Sequence, residues 1–571
     1  MSDSPGALNE HSRRRALDAM ASGDLDVLVV GGGITGAGAA LDAATRGLKV
    51  GLVEAADLAS GTSSKSSKLI HGGLRYLEMG DIGLVREALR ERELLLTKLA
   101  PHLVSPVPFL WPLRGRAWER AYLGTGLALY DRIGGARSVP AHRHLSRRGA
   151  LAHAPALRPG ALVGAVRFFD GAEDDARLVL TVARTAAAEG AHVVTRARVR
   201  ELIVRDGAVC GAVLVDELSG VAVAAHARRV AVAAGVWTDS VRELGPGSSP
   251  TRVMPSKGVH ITVARDRIQM GSGLLSRTER SVLFVIPYGS CWLIGDTDTP
   301  WLHGPQQPVA SGADVDYLLA KVNALLAKPL TKGDVRGVFA GLRPLVVLAA
   351  GGAVDTARIS RKHVIERPAP GLTTIAGGKL TIYRVMAADL IGAATEGLDH
   401  VTPSRTVAMP LLGASGFAGA WERRAAMAER AGIDVSTMEL LLGRYGALAA
   451  DLVALTAARP QLAQLLPGGD GHIGAEVVYA CTHEGALTLE DVLERRTRLA
   501  LTAPDRGMEA AAPAAALMAA ALGWEPGRAR QEVDGWRRRV AAQRAGERQP
   551  DDERALGGYR EALQIQVEAA R

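Results

Sequence analysis

Apolar runs near the N-terminus, separated by glycines and a helical pattern, predict the start of a parallel β-sheet. Asp26-Val27-Leu28-Val29-Val30 forms one continuous run, and residues 49–54 form a second after a helix-like stretch at 37–46. Strands that are covered by helices on both faces carry such uninterrupted runs. The order strand, helix, strand within about thirty residues predicts a βαβ unit.

The pattern changes twice further along the chain. A helical run at 176–188, with strand-like runs at 192–195, 199–204 and 229–233, continues the first pattern. Short runs separated by turn residues at about 250–300 then predict antiparallel strands, followed by a helix at 314–328. From about residue 405 the chain is rich in Ala, Leu and Arg at helical spacing. The sequence therefore predicts a discontinuous α/β architecture (α+β overall) that ends in a helical domain.

The glycines after the first strand fit a dinucleotide-binding fingerprint. Gly31-Gly32-Gly33-Ile34-Thr35-Gly36 follows a predicted buried strand and precedes a helix, and Glu54 closes the next strand eighteen residues later. Gly31 permits a tight turn, Gly33 lets the backbone approach a pyrophosphate, and Gly36 allows close helix packing. Glu54 can accept the ribose hydroxyls. The motif alone leaves NAD and FAD open, whereas its N-terminal position before a long Ser/Gly segment favours FAD.

The composition limits the expected number of domains, the cellular compartment and the kinds of binding partner. With 571 residues, 47% hydrophobic and 22% charged, the chain is too long for one core, so two or three domains are expected. Cys210, Cys291 and Cys481 lack CxxC or zinc-ligand spacing, which favours a reducing compartment and predicts no metal site. The longest apolar stretch, 510–524, is interrupted by Pro513, so no membrane-spanning segment is expected. The net charge of +8 fits a basic soluble surface, an anionic substrate or an anionic membrane, and no nucleic-acid motif is present.

The next segment has a long and specific pattern. Ser66-Ser67-Lys68-Leu69-Ile70-His71-Gly72-Gly73-Leu74-Arg75-Tyr76-Leu77 closely resembles the FAD-dependent glycerol-3-phosphate dehydrogenases of the glycine oxidase-like flavoprotein superfamily. Ile382 departs from the pattern, since many relatives carry Thr there, which places one hydroxyl contact in question. The resemblance covers nearly the whole chain and continues in the segments 174–178, 257–261, 284–287, 341–345, 377–384, 483–486 and 495–498.

The resemblance implies a reaction, a cofactor and a location. The chain is expected to oxidise sn-glycerol 3-phosphate to dihydroxyacetone phosphate by hydride transfer to FAD. It is also expected to pass electrons to a membrane quinone as a peripheral protein on the cytoplasmic face of the plasma membrane. For the helical C-terminal domain, capping, dimerisation and partner binding stay open, with dimerisation preferred, so a homodimer is expected. A glycerol-3-phosphate oxidase that uses oxygen is the alternative. A NAD-dependent dehydrogenase and a flavin-bound scaffold or redox sensor without turnover are more distant rivals.

The pattern and the resemblance together predict the domain boundaries. The fold is expected to be a Rossmann-like FAD-binding domain with an inserted β-rich substrate domain, as in glycine oxidase and D-amino-acid oxidase. The predicted segments are an N-terminal lead (1–20), the FAD-binding domain (21–100, 171–250 and 346–404), the substrate or cap domain (101–170 and 251–345) and a C-terminal helical domain (405–571).

The cofactor site is predicted from the fingerprint, the Ser/Gly segment and several later turns. Small hydroxyl side chains and glycines are expected to wrap the flavin and the pyrophosphate. The predicted FAD contacts are Gly31, Gly33, Ile34, Thr35, Gly36, Glu54, Ala55, Thr62, Ser63, Ser66, Ser67, Lys68, Leu69, His71, Gly72, Gly73, Val199, Ala233, Ala234, Gly235, Trp237, Gly341, Arg343, Gly378, Lys379, Leu380 and Thr381.

Substrate recognition requires cations for the phosphate and an acceptor for the hydroxyl proton. The predicted substrate contacts are Arg75, Tyr76, Arg343, Lys379 and Thr381, and the predicted catalytic residues are His71, Arg343 and Lys379. Arginine is a poor base, so His71 is the first candidate for proton acceptor, with a hydrogen bond to flavin or backbone as its competing role.

Three alternative interpretations of these residues stay open. Arg75 and Arg343 could instead form buried ion pairs. His260 is a weaker candidate for proton acceptor than His71, and a structural strand histidine is the preferred interpretation. The segment 111–123, which mixes Trp, Tyr and Arg, is predicted as an interfacial helix or an ordinary solvated one.

Overall fold

Two β-sheets and a bundle of helices make up the protein. The computed structural model describes residues 4–23, 25–73, 81–115, 117–134, 138–279, 282–349 and 362–568. Arg75 and Tyr76 lie outside these residues. In chain order the strands are β1 (Leu25–Val30), β2 (Val50–Val53), β3 (Leu69–Ile70), β4 (Ser105–Leu113), β5 (Arg143–Ser146), β6 (Gly164–Ala172), β7 (His192–Val194), β8 (Ala197–Arg205), β9 (Ala208–Asp216), β10 (Ala222–Val232), β11 (Thr251–Ala264), β12 (Gly273–Arg277), β13 (Val282–Tyr288), β14 (Cys291–Gly295), β15 (Thr299–Pro300), β16 (Val335–Leu348), β17 (His363–Ala369) and β18 (Leu372–Gly377).

The first sheet contains the predicted βαβ unit at its centre. Its order is β17-β18-β10-β1-β2-β7, with β8 and β9 extending from β10. The neighbours from β18 to β7 run parallel, whereas β17 and β9 pair antiparallel to their partners. Every residue of β2 is buried, as expected for a strand with helices on both faces. The helix Ile34–Thr45 packs against Asp175–Ala188 and Tyr383–Ala394.

The second sheet is mostly antiparallel and forms the inserted domain. Its order is β15-β11-β14-β13-β12-β4-β6-β3, with β16 paired to β11 and β5 paired to β6. The long pair β11 and β16 places Ser256 opposite Arg343 and Gly258 opposite Gly341. A core of buried aliphatic side chains joins β11, β13 and β14 to the helix Gly312–Asn323. Strand β3, which lies in a segment predicted for the FAD-binding domain, pairs with β6 in this second sheet.

The helices cover the first sheet and build the C-terminal domain. The helix Asp175–Ala188 begins at Asp174, whose carboxylate accepts the N–H of Arg177 and so satisfies a free donor of the first turn. The other helices are Glu10–Ser22, Ile82–Leu94, Ala117–Gly134, Arg147–His153, Thr238–Arg242, Phe417–Glu422, Arg424–Ala431, Val435–Tyr445, Ala449–Ala458, Gly474–His483, Leu499–Thr502, Met508–Leu522, Arg528–Glu547 and Asp552–Glu568, with π-helical turns at Leu95–Leu99 and Asp491–Arg496.

Several local predictions were wrong in extent. The segment 111–123 is not one helix, because Trp111–Leu113 completes β4 and the helix begins at Ala117. The helix expected at 314–328 runs from Gly312 to Asn323. The residues at which these helices begin and end depend on tertiary packing, which the spacing of apolar residues along the sequence does not show.

One apolar stretch of the helical domain has the length of a membrane span. Residues 435–458 have a mean hydropathy of 1.4 over the most apolar window. The stretch consists of two helices that are joined by the turn Gly446–Leu448. Met438, Leu442 and Leu452 are fully buried in a core shared with Tyr479. We therefore assign this stretch to the core of the helical domain.

Candidate active site

A cavity of about 1200 Å³ lies where the two sheets and the helical domain meet. Its walls include the carboxyl ends of β1, β2 and β10, strands β11, β13 and β16, and two side chains of the helical domain. In proteins with open parallel sheets, ligands bind next to the carboxyl ends of the strands. The volume exceeds the range of about 300–1,000 Å³ that is common for small ligands, which suits a dinucleotide with a substrate beside it.

One end of the cavity is formed by the glycine fingerprint. Gly31 adopts φ 114°, and a Cβ there would lie 2.5 Å from the carbonyl oxygen of Ala233. A Cβ on Gly36 would lie 1.8 Å from the carbonyl oxygen of Gly31. The helix Ile34–Thr45 begins here, and its N-terminal residues line the cavity, where Ser63 Oγ accepts the N–H of Ile34 at 3.0 Å. Backbone N–H groups and the helix dipole thus favour an anionic group at this point.

Glu54 lies beside this turn at the end of β2. Its carboxylate accepts hydrogen bonds from Gly32 N (2.6 Å) and Ala56 N (2.8 Å). Burial raises the pKa of Glu54, and the two backbone hydrogen bonds oppose that rise. These contacts hold the carboxylate at the cavity wall, where it can accept ribose hydroxyls. Together with the glycines and the helix N-terminus, it makes this end fit the adenosine and pyrophosphate of FAD.

Most of the predicted cofactor residues converge on this one cavity. Three of the described ones, Gly36, Lys68 and Gly72, do not line it. Those that do are Gly31, Gly33, Ile34, Thr35, Glu54, Ala55, Thr62, Ser63, Ser66, Ser67, Leu69, His71, Gly73, Val199, Ala233, Ala234, Gly235, Trp237, Gly341, Arg343, Gly378, Lys379, Leu380 and Thr381.

Lys68 has a different position from the one predicted. Its side chain is 1% exposed, and its ammonium donates to Asp175 at 2.6 Å and to the Ser64 carbonyl at 2.8 Å. Burial lowers the pKa of Lys68 to about 8, and the charge of Asp175 opposes this. Lys68 therefore stabilises the loop at residues 61–67, which we call the Ser/Gly loop, through these two contacts. Gly72 likewise packs against Leu89 and Tyr130, and a Cβ there would meet both side chains.

The other end of the cavity collects functional side chains from distant segments. His71 follows β3, Arg343 lies on β16, and Lys379 and Thr381 follow β18. Thr381 Oγ1 accepts the N–H of His71 at 3.2 Å, which joins segments 310 residues apart. The short 3₁₀ turn Leu380–Ile382 follows Lys379, and the next helix begins at Tyr383. The three predicted catalytic residues, His71, Arg343 and Lys379, thus line the same cavity.

Arg343 is anchored by carboxylates that sequence reasoning missed. Its guanidinium pairs with Asp296, lies 3.6 Å from Asp298, and donates to the carbonyl of Thr297 at 3.0 Å. Arg343 thus forms ion pairs, but its side chain is 22% exposed and lines the cavity, so the pairs are not fully buried. A Cβ on Gly258 would lie 2.4 Å from Arg343 Nη2, so the glycine leaves room for the guanidinium. The run Gly295-Asp296-Thr297-Asp298 at the end of β14 was the available signal.

Two histidines face this end, of which His71 is half-buried and His260 is buried. Burial, together with the positive charges of Lys379 and Arg92, lowers the pKa of His71 to about 3. Burial also lowers the pKa of His260 to about 4. His260 stacks on Phe339 at 4.9 Å and contacts Ser67 Oγ at 2.9 Å, as a structural strand histidine would, yet it also lines the cavity. Both imidazoles are neutral at neutral pH, which is the form that can accept a proton.

A buried polar cluster supports the His71–Gly72 backbone. Tyr130 Oη accepts the N–H of Gly72 at 2.9 Å and donates to Asp170 at 2.7 Å. Arg92 pairs with the same carboxylate at 2.6 Å. Burial raises the pKa of Asp170 despite these partners. Sequence reasoning missed this cluster because its members are 38 to 78 residues apart and match no motif.

Aromatic and aliphatic side chains complete the end of the cavity that contains His71, Arg343 and Lys379, which we call the flavin end. Their contribution was also missed, because each looks like an ordinary core residue in the sequence. The apolar lining consists of Phe109, Trp111, Phe168, Leu275, Val282 and Phe284. Among the described residues, no group of three or more His, Cys, Asp or Glu side chains could hold a metal ion.

Comparison with known proteins places this geometry in a family. Residues 26–384 match the model of FAD dependent oxidoreductases, and residues 404–529 match the model of the C-terminal domain of alpha-glycerophosphate oxidase. Glycerol-3-phosphate dehydrogenase 2 of Mycobacterium tuberculosis is 48% identical over 547 residues, which cover 96% of this chain and 93% of that protein. The chain belongs to the FAD-dependent glycerol-3-phosphate dehydrogenase family.

Two further relatives extend the comparison. The human mitochondrial glycerol-3-phosphate dehydrogenase is 36% identical over 533 residues, covering 90% of this chain and 72% of that protein. The structure of the glycerol-3-phosphate dehydrogenase from Bacillus halodurans, complexed with FAD, superposes with a TM-score of 0.77 at 28% identity and covers 93% of this chain and 97% of that one. The predictions of the glycerol-3-phosphate dehydrogenase family, the fold and FAD as cofactor are thus confirmed.

Proposed function

We propose that this protein oxidises sn-glycerol 3-phosphate to dihydroxyacetone phosphate, with FAD as the hydride acceptor. The observation that carries the proposal is the meeting of Arg343, Lys379 and His71 in the cavity that also contains the dinucleotide fingerprint. A phosphorylated alcohol requires fixed cations and a nearby proton acceptor, and these residues supply both. Relatives with similarity over nearly the whole chain carry the name of this activity.

Each of these residues has a defined part in the oxidation. FAD, when bound, takes up the hydride from the alcohol carbon. Arg343 and Lys379 hold the anionic substrate, and Asp296 and Asp298 fix the direction of the guanidinium. His71 accepts the hydroxyl proton in its neutral form, so loss of hydride and proton leaves the ketone. The low pKa of His71 makes it a weak base in the substrate-free cavity.

An anaerobic titration of the purified protein tests the reaction. The holoprotein is expected to be yellow, and its flavin absorbance at the oxidised maximum should bleach on addition of sn-glycerol 3-phosphate. Glycerol and inorganic phosphate are the matched controls, because glycerol lacks the phosphate and inorganic phosphate lacks the alcohol. Absence of bleaching by the phosphorylated alcohol would end the proposal, and a colourless active protein would favour the NAD-dependent rival.

The proposal extends to a membrane quinone as electron acceptor. The apolar lining at the flavin end offers an aromatic wall for a quinone ring. Measuring peroxide formed per substrate consumed, with and without a short-chain quinone, separates the two acceptors. Stoichiometric peroxide without quinone would favour the oxidase that uses oxygen.

We also propose that the protein binds the cytoplasmic membrane surface through the helix Ala117–Gly134. Trp118 is 56% exposed and Tyr122 46% exposed, and their rings contact each other edge to face at 5.9 Å. Aromatic side chains of this kind favour the membrane interface. The preceding Arg114 donates to Ser276 Oγ at 2.9 Å, which places the helix next to strand β12 of the cavity wall.

Co-sedimentation with anionic vesicles tests this surface. Trp118→Ser combined with Tyr122→Ser should reduce binding, whereas Trp421→Ser, which changes an exposed tryptophan of the helical domain, should not. Equal binding by both variants would contradict the assignment. We further propose that the protein is a homodimer, and light scattering of the purified protein tests it.

A further inference from the structure

The Arg-Arg-Thr-Arg motif at 495–498 belongs to the helical domain, yet its charges meet the loops that form the cofactor cavity. We call residues 491–498 the clamp segment. Most of it forms the π-helical turn Asp491–Arg496, and its charged side chains are at most 5% exposed. The reaction proposed above uses none of these side chains, so their position needs another explanation.

The first contact of the clamp segment is with Asp57, three residues after Glu54. Arg495 Nε lies 2.5 Å from Asp57 Oδ2, and Arg496 donates to Asp57 through both Nη atoms, one of them at 2.9 Å. The side chain of Asp57 is 1% exposed. Two guanidinium groups therefore fix the loop that begins at the ribose-binding carboxylate.

The second contact joins the clamp segment to the strand β8 wall. Asp491 pairs with Arg196 at 2.7 Å. The backbone N–H of Arg196 donates to the carbonyl of Ala56 at 2.9 Å, so Arg196 also touches the ribose loop. Val199, which lies three residues further along the chain, lines the cavity. The contact therefore fixes both sides of the adenosine end.

The third contact reaches the Ser/Gly loop. Arg498 pairs with Asp174 at 2.9 Å and also pairs with Asp175, which accepts Ser66 Oγ at 2.7 Å. Glu494 of the clamp segment lies 3.3 Å from the ammonium of Lys65. Ser66 and Lys65 line the cavity. One short segment thus fixes three loops of the cofactor site.

Buried ion pairs are an inefficient way to gain stability alone. Removing charges from water is costly, and apolar side chains of similar volume often stabilise a fold better. Their directional geometry does fix the relative position of the groups that they join. A site whose walls are already in place binds its ligand more tightly, because less ordering remains to be done on binding.

We propose that the clamp segment of the helical domain holds the loops at 54–66 and 196–199 in the conformation that retains FAD. Its arginines are positioning residues, since they act through Asp57, Arg196 and the Ser/Gly loop. The inference deepens the proposed function, because it rests on FAD binding in this cavity. It also gives the C-terminal domain a role in the cofactor site.

The test compares flavin release with protein unfolding in the holoenzyme. Asp57→Asn removes the acceptor charge at nearly constant volume. The rate of FAD dissociation after dilution, followed by flavin fluorescence, should rise at least about tenfold. On heating, flavin fluorescence should appear below the temperature at which tryptophan fluorescence reports unfolding. Arg496→Lys, which keeps the charge but loses the two-pronged contact, should give a smaller rise.

Arg444→Gln is the matched control. Arg444 pairs with the buried Glu476 at 3.1 Å inside the helical domain, and neither residue lines the cavity. This variant should lower the unfolding temperature while flavin release and unfolding stay coincident. If Asp57→Asn does not yield folded protein, Arg196→Gln, whose side chain is 22% exposed, breaks the second contact more gently.

The outcomes separate the clamp from a purely structural role. A dissociation rate within twofold of the parent in the folded clamp variants overturns the proposal. Flavin release that coincides with unfolding, as in the control, overturns it as well. Both readouts use bound flavin without substrate, so a parent protein that retains FAD but is not bleached would refute the proposed reaction and leave the clamp standing.

Discussion

The adenosine end and the flavin end of the cavity are built from different kinds of contact. At the adenosine end, six consecutive residues, 31–36, supply a backbone turn whose glycines leave no room for a Cβ. At the flavin end, side chains from residues as distant as His71 and Thr381 meet. One end therefore depends on backbone shape, and the other depends on placed charges.

This difference predicts which substitutions separate binding from chemistry. Changing a charge at the flavin end should slow turnover while FAD stays bound. Adding a methyl group at the adenosine end should weaken FAD binding while the substrate groups stay intact. The largest effects are expected for changes at the flavin end, and smaller ones for a methyl group at the adenosine end and for pH.

Replacing Arg343 tests whether the flavin end is separable from cofactor binding. Arg343→Ala removes a cation and leaves Asp296 without its ion-pair partner, so kcat/KM for sn-glycerol 3-phosphate should fall by roughly 10³-fold, or about 4 kcal/mol. FAD content, read from the absorbance spectrum, should be unchanged. Arg336→Ala on the same strand β16 is the control and should keep activity within a few-fold. Loss of FAD from the Arg343 variant would make this arginine structural.

Replacing His71 sharpens the assignment of the proton acceptor. His71→Asn should lower kcat by roughly 10²-fold with a small change in KM, because a general base acts in the chemical step. His260→Asn should have a smaller effect, since His260 is held in a stack with Phe339. Steady-state kinetics on both variants checks the order. The reverse ranking would transfer the role of acceptor to His260.

A methyl group at Gly36 tests the adenosine end. Its Cβ would lie 1.8 Å from the Gly31 carbonyl oxygen, so the turn must shift and FAD affinity should fall by roughly 10- to 100-fold, or about 1–3 kcal/mol. Equilibrium titration of apoprotein with FAD measures this. Gly392→Ala, on a helix where nothing lies within 4 Å of the new Cβ, should leave the affinity unchanged. Equal affinities for both variants would contradict the close approach.

Part of the pH dependence of stability should arise at the flavin end, where two of the histidines with lowered pKa values, His71 and His260, line the cavity. The pKa values of His71 and His260 are about 3 and 4, against an ordinary value of 6.5. Below pH 6.5 the unfolded chain binds protons that the folded protein does not, so acid lowers the free energy of unfolding. Between pH 7.5 and 5.5 each histidine contributes a loss of about 1.4 kcal/mol.

Urea unfolding at the two pH values checks this sign. His260→Asn should reduce the stability loss by about 1.4 kcal/mol relative to the parent. A loss of the same size in the variant would mean that His260 is protonated in the folded protein.

The sequence was most informative where one local motif defines the structure. The βαβ unit and the fingerprint were predicted because hydrophobic period and glycine spacing are local properties. The anchoring of Arg343 by Asp296 and the support of Gly72 by Tyr130 were missed, since neither pair follows from local spacing. Lys68 was assigned to the cofactor because a motif reports which residue is present but not where its side chain points.

The sequence by itself determined the parallel sheet, the dinucleotide turn, the helical C-terminal part and the family resemblance. Tertiary structure alone decided which distant charges meet, because contacts between residues hundreds of positions apart depend on how the sheets and helices pack. It brought Arg343, Lys379 and His71 to one cavity, and it set the arginines of the helical domain against the loops of the cofactor site. Chain entropy opposes such long-range contacts, so only the packed fold can hold them in place.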